Sequence, residues 1–162
     1  MIRAVQNEDI KYITNIYNYY ISCTTVTFEE ESVTVHAMQE RIDKVHATNL
    51  PWLVAENESG VIVGYAYATK WRERFAYRFS VEVTVYLSPE HEKQGFGTKL
   101  YDTLFAELKN RSVHSVIGGI TLPNPASIAL HEKFGMKQVA HFKEVGFKFE
   151  KWQDTGYWQG AL

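Results

Sequence analysis

The chain predicts a single mixed α/β domain of the α+β kind, spanning residues 1–162, with a central mixed sheet, about four helices and the order βααβββαβαββ. Three observations predict it. Segments with apolar residues at every second position interleave with segments whose apolar residues recur at three and four, the periods of strand and helix. The composition, 45% hydrophobic and 22% charged, suits a chain that folds around one core. No internal repeat, low-complexity run or linker divides it.

The elements follow in order. "MIRAV" reads as a short strand. A helix is expected from Asn7, where Glu8 and Asp9 favour the first turn and Ile10, Ile13, Ile16, Tyr17 and Tyr20 form one stripe. "CTTVTFEE" is β-branched and reads as extended. A second helix over Val35 to Ala47 carries Met38, Ile42 and Val45 on one face. "PWLVAEN" and "VIVGYAYATKW" read as strands joined by a hairpin through "ESG". "RERFAY" connects to the strand "RFSVEVTVYL". The next helix buries Leu100, Leu104, Phe105 and Leu108. "SVIGGITL" is a buried strand, and "NPASIALHEKFG" a short helix with Pro125 in its first turn and Gly135 past its end. "KQVAHF" and "FKFEKWQDTGYWQ" read as two closing strands.

Several classes are disfavoured. The lone cysteine, Cys23, cannot make an internal bridge, which suits a reducing cytoplasm, and it reads as a small packing residue. A net charge of −2 is unlike the basic excess of a nucleic-acid binder. The N-terminus turns polar after five residues and no 18-residue apolar run exists, so neither a secretory signal nor a membrane span is expected. The histidines lack metal-ligand spacing, and no metal is expected.

The stretch "HEKQGFGTKLYDTL" carries the first chemical signal. Gly95 and Gly97 stand where a strand and turn, "VEVTVYLSPE", feed a helix. The dinucleotide fingerprint fails because Leu100 stands where its third glycine belongs, and the P-loop fails because Thr98 precedes Lys99. Bare amides at a helix start still suit a pyrophosphate. A helix start that is merely glycine-rich is the competing reading.

The window Glu92-Lys93-Gln94-Gly95-Phe96-Gly97 resembles the [QR]-x-x-G-x-[GA] signature of the GNAT superfamily of acyl-CoA-dependent N-acyltransferases. Glu92 departs from it, with His91, Lys93 and Lys99 nearby as compensation. The blocks "TFEEESVT", "PWLVAE", "WRERFAY", "VEVTVYLSPEHEKQGFG", "LPNPASIALHEKFGM" and "GFKFEKWQDTGYWQ" are similar, in the same order, to the phosphinothricin N-acetyltransferase-like branch. The resemblance implies acetyl-CoA as donor and direct attack by an amine. It implies donor contacts at Lys93, Gln94, Gly95, Phe96, Gly97 and Thr98, with Val85 and Leu87 on the preceding strand, where an oxyanion-binding N–H is expected near Tyr86 or Leu87. Asn124, also a helix cap, would bind the pantetheine arm, and Ser127 would face it.

Glu82 lies mid-strand with Thr84 and Tyr86, opposite Val81, Val83, Val85 and Leu87. It is the candidate base, or a structural partner of Arg72, Arg74 or Arg78. His131 is the candidate acid, since histidine titrates near neutrality, or a half-buried packing residue. In "KWRERFAYR", Arg72 and Arg74 suit an acceptor's carboxylate or phosphinate, with Tyr77 as a hydrogen-bonding partner; a solvated charged loop is the alternative. The resemblance to that branch also implies that Phe28 and Glu29 lie by the substrate mouth. Tyr157 and the tryptophans read as packing residues.

The leading expectation is acetyl transfer to the α-amine of a small amino acid or analogue of the phosphinothricin, methionine sulfone or sulfoximine class. A protein N-terminus, lysine or polyamine is the alternative acceptor, and a non-catalytic acyl-CoA-binding module the second alternative. A homodimer is expected by analogy and from the aromatic C-terminal strand.

Overall fold

The computed structural model describes residues 1–162 and forms one seven-stranded sheet in the order β1-β2-β3-β4-β5-β7-β6. The strands are β1 (Ile2–Ala4), β2 (Trp52–Glu56), β3 (Ile62–Lys70), β4 (Ser80–Leu87), β5 (Ser115–Leu122), β6 (Lys137–Lys148) and β7 (Lys151–Ala161). The helices are α1 (Ile10–Cys23), α2 (Val35–Ala47), α3 (Phe96–Asn110) and α4 (Pro125–Lys133). Every strand pair is antiparallel except β4–β5, which makes the class α+β.

The first helix begins later than the acidic turn suggests. Asn7–Asp9 form a 3-10 turn, and the Asp9 carboxylate takes the Gln6 N–H at 2.8 Å and both arms of the Arg3 guanidinium at 2.7 and 2.9 Å. That fork ties β1 to the start of α1. The α1 stripe then buries Ile13 and Ile21, α2 buries Met38 and Ile42, and α3 buries Leu100, Tyr101, Leu104 and Leu108. Such a fully buried leucine contributes on the order of 1.5–3 kcal/mol by leaving water. Tyr86 packs against Tyr17 and Tyr20 of α1, whereas Leu87 lies against Gly97 of α3. Successive β4 side chains thus point to opposite faces, one toward α1 and the other toward α3.

Three expectations change. Residues 24–34 form no strand, because side chains rather than a neighbouring strand satisfy their backbone. Asn18 brackets Val33 with two 2.9 Å hydrogen bonds, and the Lys148 ammonium donates to the Thr27 carbonyl at 2.8 Å. The last two strands divide later than "KQVAHF" suggests: β6 continues through an irregularity between Phe142 and Gly146, and the hairpin turns at Phe149 and Glu150, both at positive φ. Cys23 is exposed and packs nothing, since it ends α1 on the solvent side.

Candidate active site

The parallel pairing of β4 with β5 runs only from Ser80–Ser115 to Glu82–Ile117, although both strands continue. Beyond Glu82 they splay, and alternate peptide N–H groups of β4 face a wedge instead of a partner strand. The opening begins after Glu82 and runs to the Tyr86–Leu87 position expected from the sequence.

A groove of about 440 Å³ enters this wedge, lined by Val85 and Leu87 of β4, Lys93, Gly95, Gly97 and Thr98 at the start of α3, and Asn124 and Ser127 of α4. Its inner end, about 50 Å³, adds Thr84, Tyr101, Gly119 and His131. The two share Val85, Tyr86, Asn124 and Ser127 and so form one channel. Gln94 turns back to the Glu90 carbonyl at 3.3 Å, and the Phe96 ring meets His91, so neither side chain lines the groove.

The groove suits a phosphate-bearing thioester donor. Gly95 caps α3 at φ 85° with no side-chain cap, so the first amides of the helix remain free for an anion. Nothing lies within 4 Å of where a Gly95 Cβ would stand, whereas a Gly97 Cβ would press on Leu130 at 3.3 Å. Asn124 caps α4 by accepting from the Ser127 N–H at 3.2 Å, which leaves its amide NH₂ available.

At the inner end, His131 is 3% exposed. Its Nδ1 lies 2.7 Å from the Ser127 carbonyl, an acceptor only, so the neutral ring carries its hydrogen there. Nε2 then accepts from the Tyr101 hydroxyl at 3.0 Å. Burial lowers the histidine pKa, against the opposing pull of the Ser127 carbonyl, and keeps the ring neutral at pH 7. Burial raises that of Tyr101, which remains a hydrogen donor.

Glu82 occupies the other face. Burial raises its pKa, and its Oε1 lies 3.5 Å from where a Gly119 Cβ would stand. Two adjacent glycines of β5 make the arrangement possible. A Cβ on Gly118 would fall 2.6 Å from the His131 ring, and one on Gly119 would meet Tyr157 at 3.2 Å beside Glu82. Glu82 and His131 therefore approach the wedge from opposite faces of one strand pair.

The residues expected from the sequence to meet the acceptor are unevenly placed. Arg72 lies over Trp71 at 5.3 Å, Trp71 meets Tyr157 edge-on at 5.9 Å, and the Arg72 charge partly offsets the burial and the Glu82 charge that raise the Tyr157 pKa. Arg74 and Tyr77 stay exposed at the rim without side-chain hydrogen bonds. Phe28 lays its ring on Gly146, where a Cβ would approach within 2.4 Å. Glu29 is already paired: Arg41 grips it at 2.6 and 2.8 Å, the Tyr17 hydroxyl donates to it, and the Arg41 bond chiefly lowers its pKa. Beside Glu82, its cross-strand partner Thr69 lines a cavity of about 310 Å³ with Tyr17, Arg41 and Tyr67. Burial pushes the Tyr67 phenol up to about 12.

Tyr101, Tyr157 and Arg41 escape sequence reading. Tyr101 sits one helical turn from Gly97 and next to Leu100, a spacing that reads as core. No cluster of three His, Cys, Asp or Glu side chains comes together that could hold a metal ion.

The family model described as "Acetyltransferase (GNAT) domain" matches residues 2–156. A phosphinothricin N-acetyltransferase of Alcaligenes faecalis is 40% identical over 99% of this chain and 82% of its own length. An L-methionine sulfoximine/L-methionine sulfone acetyltransferase of Salmonella typhimurium is 34% identical over 99% and 94%. The crystal structure of a GNAT superfamily phosphinothricin acetyltransferase of Sinorhizobium meliloti in complex with AcCoA superposes with a TM-score of 0.97 at 34% identity, covering 100% of this chain and 88% of that one. With a glycine-capped helix, a splayed strand pair and a full-length family match, the chain belongs to the GNAT acetyltransferases.

Proposed function

We propose that this chain transfers the acetyl group of acetyl-CoA to the α-amine of a small amino acid or analogue, in the class of phosphinothricin, methionine sulfone and methionine sulfoximine. The observation that carries the reading is the wedge past Glu82, with a phosphate-ready groove on one side and, on the other, a cup where Glu82 meets Tyr157 with the Arg72 charge nearby. Relatives named for those substrates favour the acceptor class.

The chemistry divides by face. The acceptor's ammonium lies by Glu82, whose raised pKa makes the carboxylate a stronger base than an exposed one. Arg72 and Arg74 attract the acceptor's anionic end, and Tyr77 and Phe28 border the cup. The attacking nitrogen forms its bond to the thioester carbonyl carbon, and the C–S bond then breaks. A wedge-facing N–H of β4 stabilises the oxyanion. Tyr101 and His131 stand on the donor side, where the departing thiolate takes up a proton: the Tyr101 hydroxyl, held in place by His131, turns its one hydrogen from Nε2 to the sulfur, and the proton shed by the attacking nitrogen restores it. Lys93, Gly95, Gly97 and Thr98 hold the pyrophosphate, with Gln94 and Phe96 contributing main chain only, and Val85, Leu87, Asn124 and Ser127 flank the pantetheine arm.

No helix is long and apolar enough to cross a membrane. The lone cysteine, which suits a reducing compartment, favours the cytoplasm. Val139, Phe142, Val145, Phe147, Phe149 and Trp152 project from the β6–β7 ribbon at 50–62% exposure, which favours a homodimer closing over it.

The test is thiol release from acetyl-CoA against phosphinothricin, methionine sulfone, methionine sulfoximine, the common amino acids, spermidine and a lysine peptide. Turnover with the first three supports the reading. Turnover only with spermidine or peptide moves the acceptor to a polyamine or protein amine. Tight acetyl-CoA binding without thiol release makes the chain a binding module.

A further inference from the structure

The donor groove contains a charge of the wrong sign. The start of α3 presents free amides and the positive end of a helix dipole, with Lys93 beside them and Lys133 reaching Thr98 at 3.4 Å. All of these attract the polyanionic end of coenzyme A. Glu92 lines the same groove and is exposed. Its carboxylate has no lysine, arginine or histidine within 4 Å, since the ion pairs of the molecule all lie elsewhere. Its one hydrogen-bonding partner is the Tyr20 hydroxyl, 3.2 Å from Oε1. That hydroxyl has a single hydrogen and lies closer to the Leu87 carbonyl, at 2.6 Å. Tyr20 therefore leaves the Glu92 charge uncancelled at the groove wall.

We propose that Glu92 is an affinity-limiting residue: its unpaired carboxylate opposes the phosphates of the donor, weakening acetyl-CoA binding and speeding release of product CoA. The proposal rests on the groove being the acetyl-CoA site. A carboxylate a few ångströms from a phosphate in a solvated groove costs about threefold to tenfold in affinity at low salt. The repulsion acts on the phosphates alone, so a donor that ends before them should not feel it.

The experiment measures CoA and acetyl-CoA dissociation constants by calorimetry, and CoA release by stopped flow, for the native chain, Glu92→Gln and Glu92→Arg. Melting curves verify that both variants fold. Glu92→Gln should tighten CoA about threefold to tenfold at low salt, and Glu92→Arg further, with slower release. The gain should shrink toward unity at about 0.5 M salt. S-acetylpantetheine, which lacks the pyrophosphate, should bind all three alike. Equal CoA affinity in the native chain and Glu92→Gln overturns the proposal while leaving the donor groove intact. Equal tightening for S-acetylpantetheine overturns it too, by assigning the effect to groove shape. If the native chain binds neither CoA nor acetyl-CoA, the reading of the groove itself fails.

Discussion

Replacing Glu82 by Gln keeps the shape of the side chain and removes its basicity. The expected outcome is a fall in kcat of about a hundredfold or more, with the acetyl-CoA dissociation constant unchanged. Because burial raises the Glu82 pKa, native kcat/KM should climb with pH through a value above the ordinary 4.5, and that limb should vanish in the variant. A pH–rate profile of both proteins decides it. The His131 pKa is shifted the other way, and a stability measurement reads it. Its folded pKa lies below the ordinary 6.5, so between those two values the unfolded chain binds more protons. Stability from this group is complete above 6.5 and is lost as pH falls toward the folded value. Denaturant melts of the native chain and of His131→Gln should converge as pH drops through that window. Parallel curves would show that the ring does not titrate differently in the two states.

At the scale of elements, β5 is where fold and chemistry constrain each other most tightly. Gly118 and Gly119 face opposite sides, and each leaves space that a side chain fills, the His131 ring on one face and Tyr157 beside Glu82 on the other. Gly118→Ala would drive a Cβ to 2.6 Å from the His131 ring, so the ring must move and its bond to Tyr101 must break. We expect kcat to fall at least about tenfold while stability drops by about 1–3 kcal/mol, as for a small-to-large change in a filled site. Steady-state kinetics beside a denaturant melt separates the two effects. Full activity with only lower stability would detach His131 from catalysis. The segment 24–34 is also set by its surroundings: Asn18, Lys148 and the bond from Arg41 to Glu29 hold it as a fixed loop over the cup. Lys148, 1% exposed, spends its ammonium on the Thr27 carbonyl, and burial lowers its pKa.

Across the whole molecule, the β6–β7 ribbon leaves Phe147 and Trp152 in contact at a 55° tilt, centroids 4.8 Å apart, yet 53% and 62% exposed. An apolar surface of that size supports the homodimer proposed above. Sedimentation should show a dimer, and Trp152→Glu should shift it to a monomer. A native chain that sediments as a monomer at all concentrations would leave the ribbon without that partner. The sequence alone determined the order of elements, the helix stripes, the glycine corner at Gly95–Gly97 and Glu82 as a carboxylate within the strand before it, because periodicity and residue chemistry are local properties of the chain. It could not determine that residues 24–34 stay unpaired, that Glu29 is already taken by Arg41, or that Tyr157 and Tyr101 reach the wedge. Those outcomes belong to the tertiary structure. They depend on where β4 and β5 part and on what packs across the sheet, and such meetings of residues distant in sequence leave no periodic trace along it.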